Sequence, residues 1–215
     1  AEQSKEEVEK NFNRILFLNY WIIAFCSICL ICLIQPFIHL WLGADYQLPM
    51  FTVLIIIVVF YFNGMRRTVL EFRNAAGLFW ADRYKALVES FVNLVVSIPL
   101  TYALGVAGVK LGTLISLLGV AFWVEGRILY KYLFQKSVLQ YLFLQTKYAV
   151  VTGIQLICAY WACRIIDLTS LSMLLKFVLQ MVICLIIPNV MIVIIFWKTD
   201  EFQYVKNLVK KIIKR

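Results

Sequence analysis

Between Asn63 and Arg83 the chain reads NGMRRTVLEFRNAAGLFWADR, with Arg66, Arg67, Arg73 and Arg83 interrupting two apolar runs. A guanidinium stays protonated and presents a planar fork that grips phosphate or carboxylate bidentately, so four of them point to the binding of an anion. The apolar run before them, Met50 to Phe62, is thirteen residues and reaches only about 20 Å as a helix, against about 30 Å of hydrocarbon. The helix must therefore continue through Asn63, Gly64, Arg66 and Arg67, which places ionisable groups at membrane depth, where they mark a site facing protein or water rather than lipid. Along this helix Asn63, Arg67, Glu71 and Asn74 share one row, while Arg66 and Arg73 lie on the next. Glu71 is expected to pair with Arg67 at i, i+4, leaving Arg66 and Arg73 free for an anion.

A second polar row follows. Asp82, Glu89, Asn93, Ser97 and Thr101 are spaced seven, four, four and four and so keep to one helical face. Glu89 is near enough to a helix end to snorkel, but Asn93 and Ser97 are too short and need a neighbouring helix or a hydrated cavity. At 108, 112 and 116 the residues Gly, Gly and Ser let another backbone approach closely, and Leu104-Gly105-Val106 is a connection short enough for a tight antiparallel hairpin. Glu125 and Arg127, at the inner end of that fourth span, are expected to be solvated.

These rows need helices to carry them. Hydrophobic residues make up 63% of the 215, charged residues 15%, and the mean hydropathy is +0.85, which identifies an integral membrane protein. Six spans emerge: Ile15 to Trp41, Pro49 to about Arg67, Ala86 to Leu104, Val106 to Trp123, Tyr148 to Cys163, and Leu171 to Trp197. Pro36 is expected to kink the first. The net charge of +9 is distributed between spans instead of along one stripe, which excludes a nucleic-acid binder. Lys and Arg gather in the N-terminal segment, the second and fourth connections and the tail, leaving Lys110, Arg164 and Lys176 on the other side. Both termini are therefore expected in the cytoplasm. The domains follow as 1–14, a cytoplasmic N-terminal segment; 15–197, a six-span lobe; and 198–215, a basic tail. In that tail Phe202, Val205, Leu208, Val209, Ile212 and Ile213 alternate with lysines at helical period, as in a helix lying on the inner leaflet. The stretch from Arg127 to Phe143 has similar ingredients and reads as a second surface helix. The chain begins AEQSKEEVEK and reads as a piece of something longer.

Cys26, Cys29, Cys32 and Cys184 lie inside apolar runs and read as small buried hydrophobes, so no metal or redox site is expected from them. His39 is the only histidine, and zinc sites or triads built on imidazole have little material. No catalytic residue and no cofactor is expected.

Several segments, taken together in order and spacing, resemble the polysaccharide-repeat flippases often called Wzx-type, of the multidrug/oligosaccharidyl-lipid/polysaccharide exporter superfamily. They are PFIHLWLGADY after the first span, NGMRRTVLEFRNAAGLFWADRYKALVES, NLVVSIPLTYALGVAGVKLGTLIS, and FWVEGRILYKYLFQKS. The resemblance implies an all-α fold of six transmembrane helices forming one lobe of a two-lobe transporter, here the C-terminal lobe, whose partner would be an N-terminal six-helix lobe of the same protein. It implies a bacterial plasma-membrane protein, not an enzyme, that moves an undecaprenyl-diphosphate-linked oligosaccharide repeat unit between leaflets. On that reading Arg66, Arg67, Arg73 and Arg83 serve the diphosphate, Asn74 and Asn93 the sugars, and Asp82 and Glu89 the sugars or a coupling ion. A peptidoglycan-precursor flippase or drug antiporter is the nearer alternative, and a membrane-embedded glycan polymerase the more distant one.

Overall fold

The structure is a computed structural model that describes residues 4–213, with side chains considered through Lys211. Residues 1–3, Lys214 and Arg215, together with the side chains of Ile212 and Ile213 expected on the tail's apolar stripe, lie outside the described part. Every regular element within it is helical. The long helices are α1 (Lys5–Trp41), α2 (Met50–Ala75), α3 (Lys85–Leu104), α4 (Val106–Phe134), α5 (Val138–Asp167) and α6 (Met173–Phe196), and all six are long and apolar enough to cross a membrane. A shorter helix, α7 (Asp200–Ile213), ends the described chain.

The first helix starts earlier than its hydropathy indicates. Ser4 caps it, its hydroxyl accepting from the Glu7 amide while the Glu7 carboxylate accepts from the Ser4 amide, so residues 5–14 are turns of α1 rather than a separate segment. From there α1 runs through the centre of the bundle and packs against α2, α5, α6 and α7. Phe12, Leu16, Phe17, Tyr20 and Ala24 on one of its faces are fully buried. Tyr20 stacks on Tyr148 of α5 at 4.2 Å, and Phe17 meets Phe196 of α6 at 5.1 Å. Trp21 donates to Asn189 of α6 at 2.7 Å, and Asn19 donates to the Gly64 carbonyl of α2 at 2.9 Å. In a lipid solvent such close contacts and interhelical hydrogen bonds hold helices together.

The tail is helical as expected, but protein covers its first half. Phe202 and Val205 are buried; Phe202 stacks on Trp21 at 5.8 Å, and Arg14 lies over the Tyr204 ring at 4.5 Å. Among the described side chains of that apolar stripe, Leu208 and Val209 stay exposed. The expected surface helix from Arg127 to Phe143 does not form. Its first part is the end of α4, whose Tyr130 and Phe134 pack on Phe12, and its last part opens α5, with Tyr141 fully buried. Between the two, Gln135 takes a left-handed conformation (φ 56°) that stops α4 and lets Ser137 cap α5.

Helices α3 and α4 form the tight hairpin, turning on Gly105 at φ 58°. A Cβ placed on Gly108 would sit 2.0 Å from the Leu100 carbonyl oxygen, and one on Gly112 would sit 2.1 Å from the Ser97 hydroxyl. Gly108→Ala is therefore expected to pry the hairpin apart and cost about 1–3 kcal/mol, read as a lowered unfolding midpoint of the purified protein in detergent. Gly119→Ala, where nothing stands within 4 Å, is the control that should not fall.

Candidate functional site

Four charged side chains from three helices meet near one end of the bundle, the end that carries the basic connections. Arg66 comes from α2, Lys85 and Glu89 from the first turns of α3, and Glu125 from α4. Arg66 donates through Nε to Glu125 at 3.0 Å and through a terminal nitrogen to the other carboxylate oxygen at 2.5 Å, a bidentate fork. Its remaining nitrogen donates to Glu89 at 3.3 Å and to Asn63 at 3.4 Å. Lys85 donates to Glu125 and lies 3.7 Å from Glu89. Side-chain exposures are 1% for Glu125, 10% for Lys85, 12% for Arg66 and 24% for Glu89.

Two positive and two negative charges cancel, which is what a group buried at this depth requires. Glu125 lies nineteen residues beyond Val106, about 28 Å down the helix, and Arg66 about 24 Å beyond Met50. The quartet thus sits about one turn inside the basic end of the spans. Glu125 is the centre: it is the most deeply buried of the four and accepts three hydrogen bonds, two from Arg66 and one from Lys85. The expectation that Glu125 is solvated is wrong, and its cause is local. Helix α4 contains two π-helical stretches, Leu117–Ala121 and Leu129–Phe134, on either side of Phe122–Ile128. Such a stretch inserts about one extra residue, which turns everything beyond it by about 100°. Gly126, next in the chain, faces the Tyr141 ring so closely that a Cβ there would lie 2.3 Å from it.

The other expected site residues are placed as follows. Arg73 is held by Asp82 across the second connection and by its neighbour Asn74 at 2.9 Å, so neither Arg66 nor Arg73 is free. Arg67 and Glu71 are both exposed, and no ion pair joins them among the described residues. Arg83 is exposed, its guanidinium 4.1 Å from the Trp80 ring and 4.7 Å from the Tyr84 ring. With Phe79 these exposed aromatics form a belt of the kind found at membrane interfaces. Asn93 accepts from Ser97 at 2.8 Å, and Thr101 donates to the Ser97 carbonyl at 2.6 Å. The polar row of α3 is thus real, but only Glu89 of it joins the quartet. The helix has no buried residue at all, and Leu87, Phe91, Leu94, Ile98 and Tyr102 are exposed.

At the opposite end of the bundle a cavity of about 530 Å³ opens between α1, α5 and α6. The fold and its buried charges define a polytopic helical membrane protein with six spans. No family model, no curated protein and no solved structure matches this chain.

Proposed function

We propose that this chain is the C-terminal six-helix lobe of a transporter that moves undecaprenyl-diphosphate-linked oligosaccharide repeat units across the bacterial plasma membrane by alternating access, with both ends of the lobe in the cytoplasm. The observation that supports it is the neutral quartet joining α2, α3 and α4. A diphosphate offers the same bidentate anionic oxygens to Arg66 and Lys85 that Glu125 now offers. Exchange of one for the other replaces charge-assisted hydrogen bonds like for like and releases the tie between α2 and α4, with the buried carboxylate it frees neutralised by a proton or cation. Glu89 and Glu125, once displaced, are the groups on which a proton or cation would settle. Arg73, Arg67 and Arg83 line the same end and guide the headgroup, while Asn74, Asn93 and Asp82 offer hydrogen bonds to sugars. The exposed apolar face of α3 fits the missing N-terminal lobe. A drug antiporter for organic cations would instead favour carboxylates and aromatics over arginine.

Arg66→Gln with Arg73→Gln, made in the full-length gene, is expected to cut glycan export by about 100-fold, since two charge-assisted contacts of about 1.5 kcal/mol each are lost. Insertion, read by surface labelling, should remain. Unchanged export, or rescue of drug efflux instead of polysaccharide synthesis, would remove this reading.

A further inference from the structure

A second cluster lies near the other end, in the wall of the cavity. Cys32 of α1, Cys163 of α5 and Cys184 of α6 are all buried, and their sulfur atoms lie within 4.8 Å of one another, Cys163 and Cys184 at 3.9 Å. Metal–sulfur bonds of about 2.3 Å in trigonal or tetrahedral geometry put the sulfurs about 3.8–4.0 Å apart. We propose that these three thiols form a binding site for a soft, thiophilic cation, Cu(I).

Three helices far apart in the chain deliver the sulfurs to one point, and the backbone beside them is loosened to do so. Pro36 stands four residues after Cys32, and Pro188 four residues after Cys184, so both cysteine carbonyls lack the helical N–H that would bond them. The Cys184 carbonyl accepts from the Cys29 thiol at 3.9 Å, and the Cys163 carbonyl from Gln180 at 3.5 Å. The site also has an entrance. Cys32 and Cys163 line the 530 Å³ cavity, whose other walls include Gln35, His39, Arg164 and Asp167, a polar route for an ion from the bundle end.

The choice of ion follows from the ligands. Three sulfurs with no carboxylate among them select a soft metal, and Cu(I) accepts two or three such ligands where zinc seeks four. Each thiol that binds as thiolate releases its proton to the cavity. Two thiolates and one thiol around Cu(I) leave a single negative charge, against a dication's stricter demand for four donors. The cavity wall carries Arg164 and Lys176 against the one carboxylate of Asp167, an excess of positive charge that favours the anionic complex.

The test uses the whole chain, purified in detergent under reductant and titrated with Cu(I) against bicinchoninate. One Cu(I) per chain should be retained, with X-ray absorption reading two or three sulfur neighbours at about 2.3 Å. Cys32→Ser and Cys163→Ser should each lower retained copper at least tenfold, and Cys158→Ser, an exposed thiol outside the cluster, should not. Nitrogen or oxygen neighbours in the wild-type spectrum would overturn the site whatever the variants do. So would full copper retention in the Cys32→Ser, Cys163→Ser double variant.

Discussion

Glu125→Ala is expected to destabilise the bundle by about 3 kcal/mol or more, because it strands Arg66 and Lys85 in protein with Glu89 as their one remaining counter-charge. Removing one member of a buried ion cluster costs far more than the cluster contributes, since an unpaired charge keeps its full desolvation penalty. The rescue is the sharper half of the prediction. Adding Lys85→Met to Glu125→Ala leaves Arg66 facing Glu89, one charge against one, and should recover more than half of the loss. Reversible unfolding in mixed micelles measures both, and a double variant that is less stable than Glu125→Ala alone would show that packing, not charge balance, dominates at this junction.

The second large effect belongs to Tyr141. Its ring is fully buried against Phe122 at 5.3 Å and Tyr130 at 5.5 Å and covers Gly126, but its hydroxyl has no hydrogen-bond partner among the described residues. Tyr141→Ala should therefore cost about 3–5 kcal/mol through the cavity it leaves. Tyr141→Phe, which deletes only the orphaned hydroxyl, should be neutral or slightly stabilising. The contrast separates the ring's packing from its polarity, and the same unfolding experiment reads it. Because Tyr141 backs the helical segment that bears Glu125, the alanine variant should also loosen the quartet, which a double-mutant cycle with Glu125→Ala would register as coupling.

The sequence was a good guide to the crossings and a poor one to their ends. Hydropathy located all six helices, and the residues at 105, 108 and 112 disclosed the α3–α4 hairpin, because a backbone contact needs glycine whatever surrounds it. The continuation of α2 beyond Phe62 followed from length alone, and the helix does run to Ala75. Helix ends were missed where the chain stays helical outside lipid, as at Lys5 and Phe134, since hydropathy reports solvent and not hydrogen bonding. Of the residues the sequence offers for a site, Arg66 and Glu89 do meet in the quartet, yet their partner Glu125 is not among them. The buried series Gly108, Gly112, Ser116 would continue in a regular helix at about 119–120 and 123, and Gly119 and Trp123 are in fact exposed while Ala121 and Glu125 are buried. That one-residue slip is the work of the π turn, which has no signature in a hydropathy pattern. The thiol cluster was hidden for another reason. Its members are 131 and 21 positions apart, and only tertiary packing brings them together.

Because the four charges of the quartet sum to zero, any displacement that carries them together moves none of their net charge through the electric field of an energised membrane. Voltage does no work on the quartet in such a motion. Once Arg66 parts from Glu125 along the bilayer normal the balance is lost, and each elementary charge that crosses the full field feels about 2.3 kcal/mol per 100 mV. The closed quartet is thus electrically silent, and its sensitivity to a membrane potential begins only where the pair separates.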